Sequence, residues 1–452
     1  MSMPASSQSA PSTAPLYSDA VRRQKTDIPA IYGGIDFDAV PERFATSPDA
    51  ATELPARLAD TRQRLLADDG KLALIRNYTM TGDRVADAYA ALIPEYGFRA
   101  LVDMLETACD HGIEAVENAP AELVAFIRAM EDTPDWVNME MVERGARQER
   151  NLMANVSPYA IRGAFIATFM NKYSALPMMM TGTLSDTTSA KRVLETASFF
   201  TATTLPGALG RFGGGFKAAA KVRLMHSMVR FNIMRSGKWD QATYGIPIPQ
   251  VDQMPAGLIG VFLMSFRILQ EGRTSFTERE RCMVELSRYR CFLLGLPQDL
   301  LADTPQAIAD LMLMRNATLR SEYDDATCGE LVRGTMVADL SKDVSPVGRL
   351  RDWMERGFSR VYFIQNFCEG RIERAEAMGV RLTLNDKIAA AVTAAIIFPK
   401  AAAYKALLRL PVAGAIADRM LVRKVERLLD SYGHADFITD SSQYKPVMAK
   451  AA

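Results

Sequence analysis

Lys221-Val222-Arg223-Leu224-Met225-His226-Ser227-Met228-Val229-Arg230 is the densest cationic and amphipathic stretch of this 452-residue chain. Read as a helix, it places Arg223, His226 and Arg230 at i, i+3 and i+7, on one face. His226 is one of only three histidines, with His111 and His434. A lone imidazole with a guanidinium one turn to either side suits an iron porphyrin. The imidazole would take the metal, and the arginines would pair with carboxylates at the ring edge. The plainer reading of the same spacing is a helical histidine and arginines that pair with nearby acids.

Helical periodicity spreads outward from this stretch in both directions. Apolar residues recur at three- and four-residue spacing over 56–66, 81–92, 97–107, 121–130, 136–155, 160–172, 190–203 and 216–235. The pattern resumes over 257–270, 278–294, 304–316, 330–340, 346–377 and 386–397, and ends in a C-terminal pair. Thr133-Pro134 reads as a cap and first turn, and Thr277-Glu278-Arg279-Glu280 as a capping box. Alternating strand patterns are scarce, and Tyr244-Gly245-Ile246-Pro247-Ile248-Pro249-Gln250 reads as a loop. The expectation is an all-α protein with one large helical domain over residues 51–435. Residues 1–50 would be a disordered or extended tail, and 436–452 a C-terminal tail.

Composition narrows the function. Lys plus Arg and Asp plus Glu both number 53, which argues against general nucleic-acid binding. Cys109, Cys282, Cys291, Cys328 and Cys368 are widely spaced and form no CxxC pair, so neither a disulfide framework nor a zinc site is expected. They fit a reducing compartment. Arg22-Arg23 is followed by no apolar core, so no export is expected and the localisation reading is cytoplasmic. The longest apolar run, 388–399, is too short to span a bilayer. Residues 401–429 read as a packed helix pair, with peripheral membrane contact as the alternative. The 25 methionines suit a large adaptable apolar cavity or simply a helical core.

The glycine-rich stretch Gly210–Lys217 lacks the ending of a phosphate loop and follows no strand. It is either a connector or a backbone that something large approaches closely. Asp186-Thr187-Thr188 leads into a second cluster, in which Arg192, Glu195 and Thr196 share a helical face. That face is an ordinary Arg–Glu surface pair or the wall of a buried pocket. No GxSxG or HExxH occurs, and Glu143, Glu149 and Glu195 are candidate bases that spacing does not rank.

Taken in order, these pieces resemble the latex clearing protein family of rubber oxygenases, whose domain is shared with the membrane-bound oxygenase of mycophenolic acid biosynthesis. The resemblance is carried by Thr181-Gly182-Thr183-Leu184, the Arg192/Thr196 face and Val222–Arg230. It is also carried by Tyr244–Gln250 and Leu293-Leu294-Gly295-Leu296-Pro297. It covers roughly residues 130–320. It implies a globin-like helical core holding haem b, with His226 as the iron ligand. Arg192, Arg223 and Arg230 would support the cofactor, and Arg192, Thr196 and Glu195 would be the catalytic residues. The implied reaction is oxidative cleavage or oxygenation of an apolar, isoprenoid-like alkene by O2, with no protein partner. Two departures stand out. Glu195 occupies the place of the family's lysine, and 173–178 offers no acid for the family's distal base. Met178-Met179-Met180 would line a substrate pocket or pack the core. A haem-binding sensor or carrier without turnover, and a cofactor-free lipid-associating helical protein, are the alternatives.

Overall fold

The opening stretch lies in a 22-residue helix, Gly214–Arg235. In the computed structural model, residues 16–181, 189–341 and 343–433 are described. Among them are no strands, only two isolated bridges, Phe44 to Leu319 and Thr52 to Arg320. The chain is an all-α domain, as its periodicity requires. Met1 to Pro15, Gly182-Thr183-Leu184, Asp186-Thr187-Thr188, His434 and the 436–452 tail lie outside the described residues.

Most expected helices form, and their ends follow local chemistry. Thr277 and Glu280 make the reciprocal capping box that starts Glu278–Leu293. The expected start at Pro134 does not hold. Met139–Asn155 begins instead at Asn138, whose side chain accepts from the Met141 N–H. The long 346–377 helix breaks into Pro346–Phe367 and Ile372–Ala377 at Glu369 and Gly370, both with positive φ. A helix not expected, Lys172–Met180, is capped by Asn171.

The N-terminal expectation needs a larger correction. Residues 17–50 are not a tail. Asp19–Asp27 is a helix, and Tyr17, Val21, Ile31, Tyr32 and Ile35 form a hydrophobic cluster with Met80, Phe231 and Ile246. Phe231 belongs to the His226 helix, so this segment backs the candidate site. The sequence reading failed because the segment's apolar residues are too sparse to form a core alone. They bury only against helices far along the chain.

The glycine-rich connector also has a structural explanation. Phe216 N–H donates to the carbonyl of Ala208 at 2.9 Å, which folds the connector back on itself. A Cβ on Gly213 would lie 2.3 Å from that oxygen. At Gly213 the close approach is made by the chain's own backbone. Gly213→Ala should therefore cost about 1–3 kcal/mol, read as a lower denaturant midpoint at unchanged slope. A cost near zero would show that this connector has room to spare.

Three packing relations position the site. The Arg192 helix, Ser189–Ala202, lies against the His226 helix. The helix Arg84–Ala90 packs on the His226 helix from another side. The C-terminal hairpin, Leu384–Leu407 and Pro411–Tyr432, lies across Met139–Asn155, and its second helix touches the Arg192 helix.

Candidate functional site

The three residues that share one face of the His226 helix do not share one role. Arg223 forms an ion pair with Asp83 through Nε, and its Nη2 donates to Asp83 Oδ1 at 2.9 Å. Arg230, with no exposed surface, pairs with Asp87. It also donates to the carbonyls of Pro247 at 2.9 Å and Ile248 at 2.6 Å. Tyr32 donates to the other oxygen of Asp87, and burial pushes its phenol well above the ordinary range. The expectation that Arg223 and Arg230 would hold ring-edge carboxylates is thus corrected. Asp83 and Asp87, four residues apart at the start of one short helix, take both guanidinium groups. The two ion pairs fix the His226 helix to the N-terminal body.

Space around this lattice is tight. A Cβ on Gly82 would fall 1.9 Å from Tyr32 Oη and 2.6 Å from Asp87 Oδ2, so only glycine lets the chain pass. Gly295, in the Leu293–Pro297 motif, lies against the Asp83–Arg223 pair.

His226 sits between the two pairs, and its tautomer can be argued from a chain of amides. Gln250 Nε2 donates to the carbonyl of Gly82 at 3.1 Å, and a carbonyl only accepts. Gln250 Oε1 is therefore the acceptor for Gln253 Nε2, at 3.1 Å. That leaves Gln253 Oε1 facing His226 Nδ1 at 3.2 Å, so Nδ1 carries the proton and Nε2 keeps its lone pair. Burial drives the imidazole pKa down to about 4, and Arg230 and Arg192 add repulsion against the Gln253 hydrogen bond and Asp83. His226 is neutral at pH 7, yet it retains some accessible surface. A neutral imidazole oriented through Nδ1–H by an outer acceptor is how proteins prepare a histidine for a metal. Among the described residues no group of three or more His, Cys, Asp or Glu side chains is placed to hold a metal ion.

Arg192 reaches this neighbourhood from the adjacent helix. Its Nη1 donates to Met225 Sδ at 3.3 Å and to Glu195 Oε2 at 3.2 Å. Met225 precedes His226, so Arg192 and the imidazole are brought together. Glu195, 6 % exposed, is also 3.7 Å from Lys191 Nζ. Two cations hold its carboxylate, which favours the salt-bridge reading over that of a base facing substrate. Thr196 is half-buried on the same helix. Met178 and Met179 pack against a second core cluster. Glu149 pairs with Arg290 at 2.5 Å, and Glu143 accepts from the Gly207 N–H at 3.0 Å. Neither of these two glutamates is drawn to the His226 site.

Residues 153–397 match the family described as ER-bound oxygenase mpaB/B'/Rubber oxygenase, catalytic domain. This chain belongs to the mpaB/rubber oxygenase family. The matched span holds the Arg192 and His226 helices, Gln250 and Gln253. Asp83, Asp87 and Tyr32, which hold the His226 helix in place, lie before it. Latex clearing protein LCP, solved in the closed state, shares the fold. Its TM-score is 0.52 and its identity 17 %, over 78 % of this chain and 91 % of that one. No curated protein matches the chain. As a rubber oxygenase relative, the chain carries an oxygenase-type catalytic domain.

Gln250, Gln253, Asp83 and Asp87 were missed in the sequence. The two glutamines lie three apart at a helix start, a spacing that signals nothing without a histidine opposite. The acids lie 140 and more residues from their arginines, beyond the reach of local pattern. Where His226 takes a haem iron, as the resemblance implies, Gln253→Leu should weaken haem binding about 10–100-fold, the usual effect of removing an outer partner of a ligating histidine. A haem titration followed by absorbance measures it. Unchanged affinity would mean that the amide chain does not orient the imidazole.

Proposed function

We propose that this protein is a haem b-dependent oxygenase that uses O2 to cleave or oxygenate an apolar, isoprenoid-like alkene. The observation that carries the reading is His226: half-buried, neutral, and fixed through Nδ1 so that Nε2 is available to an iron. Haem b, when bound, supplies the redox-active iron needed to activate O2. The chain's own part is to hold the imidazole in one tautomer, keep it unprotonated and exclude bulk water. Arg192, anchored on Met225 and Glu195, holds a positive charge near the imidazole, where it would be available to a carboxylate of the bound haem. Thr196 offers a hydroxyl from the same helix. Five buried, unpaired cysteines support a cytoplasmic setting.

A second reading, haem binding without turnover, is favoured by one feature. Glu195 is held by Lys191 and Arg192, so the one acid on the Arg192 face serves an ion pair. Purified protein loaded with haem and given O2 with a panel of isoprenoid alkenes separates the two. Aldehyde or ketone products support the oxygenase. A Soret band with no product across the panel supports the carrier, and no Soret band after haem addition overturns both.

A further inference from the structure

We infer that the C-terminal helical hairpin docks the protein on the surface of an anionic lipid bilayer. The helix Leu384–Leu407 buries one face against Pro346–Phe367 and Met139–Asn155. Its other face is equally apolar. Ile388, Val392, Ile396 and Phe398 are 40 to 53 % exposed, the first three at i, i+4 spacing along one face. Thr393 is the one polar side chain between Ile388 and Pro399, and its hydroxyl turns inward to the carbonyls of Ala389 and Met354. The outward face thus offers no side-chain hydrogen-bonding group over twelve residues, roughly 18 Å of helix. After the turn at Leu407–Leu410 the pattern repeats. Val412, Ile416 and Met420 are 75, 49 and 51 % exposed.

Charge identifies the occupant. Lys387 flanks one end of the apolar stripe, and Lys400, Lys405 and Arg409 flank the other, all exposed. The acids of the hairpin nearest this surface are neutralised within the protein: Asp386 by Arg360 and Asp418 by Arg150. In a chain with equal numbers of cations and anions, this is a cationic rim around an apolar stripe. It is the composition of a helix that lies in the plane of a bilayer beneath anionic headgroups. A protein partner would call for aromatic anchors and hydrogen-bonding groups near the centre; from Ile388 to Ile396 this face has only aliphatic side chains, and its one aromatic, Phe398, stands at the end of the stripe beside Lys400. By length and hydropathy the first helix is long and apolar enough to cross a membrane. Its packed inner face makes it an in-plane element instead. The inference does not depend on the oxygenase reading.

Sedimentation of the full chain with sucrose-loaded vesicles tests it, using phosphatidylcholine alone and phosphatidylcholine with phosphatidylglycerol. The protein should sediment with the anionic vesicles and far less with the neutral ones. Val392→Glu with Ile396→Glu should lower that partition on the order of tenfold or more. Lys405→Glu with Arg409→Glu, which leaves the apolar stripe intact, should weaken binding to anionic vesicles alone. Haem absorbance should be unaltered in both variants. Protein that stays in the supernatant with both vesicle types overturns the inference. So does a lipid-free dimer, seen by light scattering, that Val392→Glu with Ile396→Glu turns into monomer, because the face would then join two copies of this chain.

Discussion

Haem added to His226→Ala protein is expected to give no Soret band, with apparent affinity lowered by more than about 100-fold, beyond the loss caused by removing an outer partner. The size of the effect follows from the donor set. Among the described residues His226 is the one histidine at the Arg192 helix, and its neutral state is secured by burial, which holds its pKa down to about 4. Truncation removes the ligand and opens a space, so free imidazole should restore part of the band. The fold should survive. Gln253 loses its hydrogen-bond partner at a cost of about 1–3 kcal/mol, a tolerable loss for a domain held by many other buried contacts. Circular dichroism and a denaturant midpoint separate the two consequences. An undiminished Soret band in the folded variant would remove the iron from His226 and with it the proposed function.

Arg230→Ala is expected to cost about 3–5 kcal/mol of stability, the range for removing one partner of a fully buried ion pair. Arg230 and Asp87 both have no exposed surface. With the guanidinium gone, Asp87 would face Tyr32 and Asp83 without a counter-charge, and burial already pushes its carboxyl above the ordinary value. The carbonyls of Pro247 and Ile248 would lose donors as well. The double variant Asp87→Leu with Arg230→Met should recover much of the loss, because an apolar pair of similar volume leaves no stranded charge. Urea unfolding of the wild type, Asp87→Leu, Arg230→Met and the double variant gives the coupling directly. A loss under about 1 kcal/mol in Arg230→Ala, the level of an exposed pair, would show that water reaches this lattice.

The two outcomes bear on different halves of the same helix face. His226 was legible because a rare residue stood between two arginines on one face of a regular pattern, and because the surrounding motifs resembled a family. The roles of the arginines were not legible. Spacing reported that Arg223 and Arg230 flank the imidazole, but not what lies opposite them. The acids that decide it, Asp83 and Asp87, arrive from a distant helix that looks unremarkable in sequence. Glu195 is an intermediate case. Its possible bridges to Lys191 and Arg192 could be read from i, i+4 and i, i+3 spacing, and both are present. Its burial could not be read, since that depends on the neighbouring helix.

What the amino-acid sequence determined alone is the all-α class, most helix positions, the capping box at Thr277 and the candidate ligand His226. All are set by residues within one or two turns of each other, where side-chain period and capping chemistry act directly. Tertiary structure alone decided that residues 17–50 belong to the body and that Arg223 and Arg230 brace the His226 helix. It also decided that Gln250 and Gln253 choose the imidazole tautomer, and that the apolar stripe from Ile388 to Ile396 faces outward. Each of these depends on which surfaces meet, and the burial and pairing that settle them arise only when segments a hundred or more residues apart exclude water from one another.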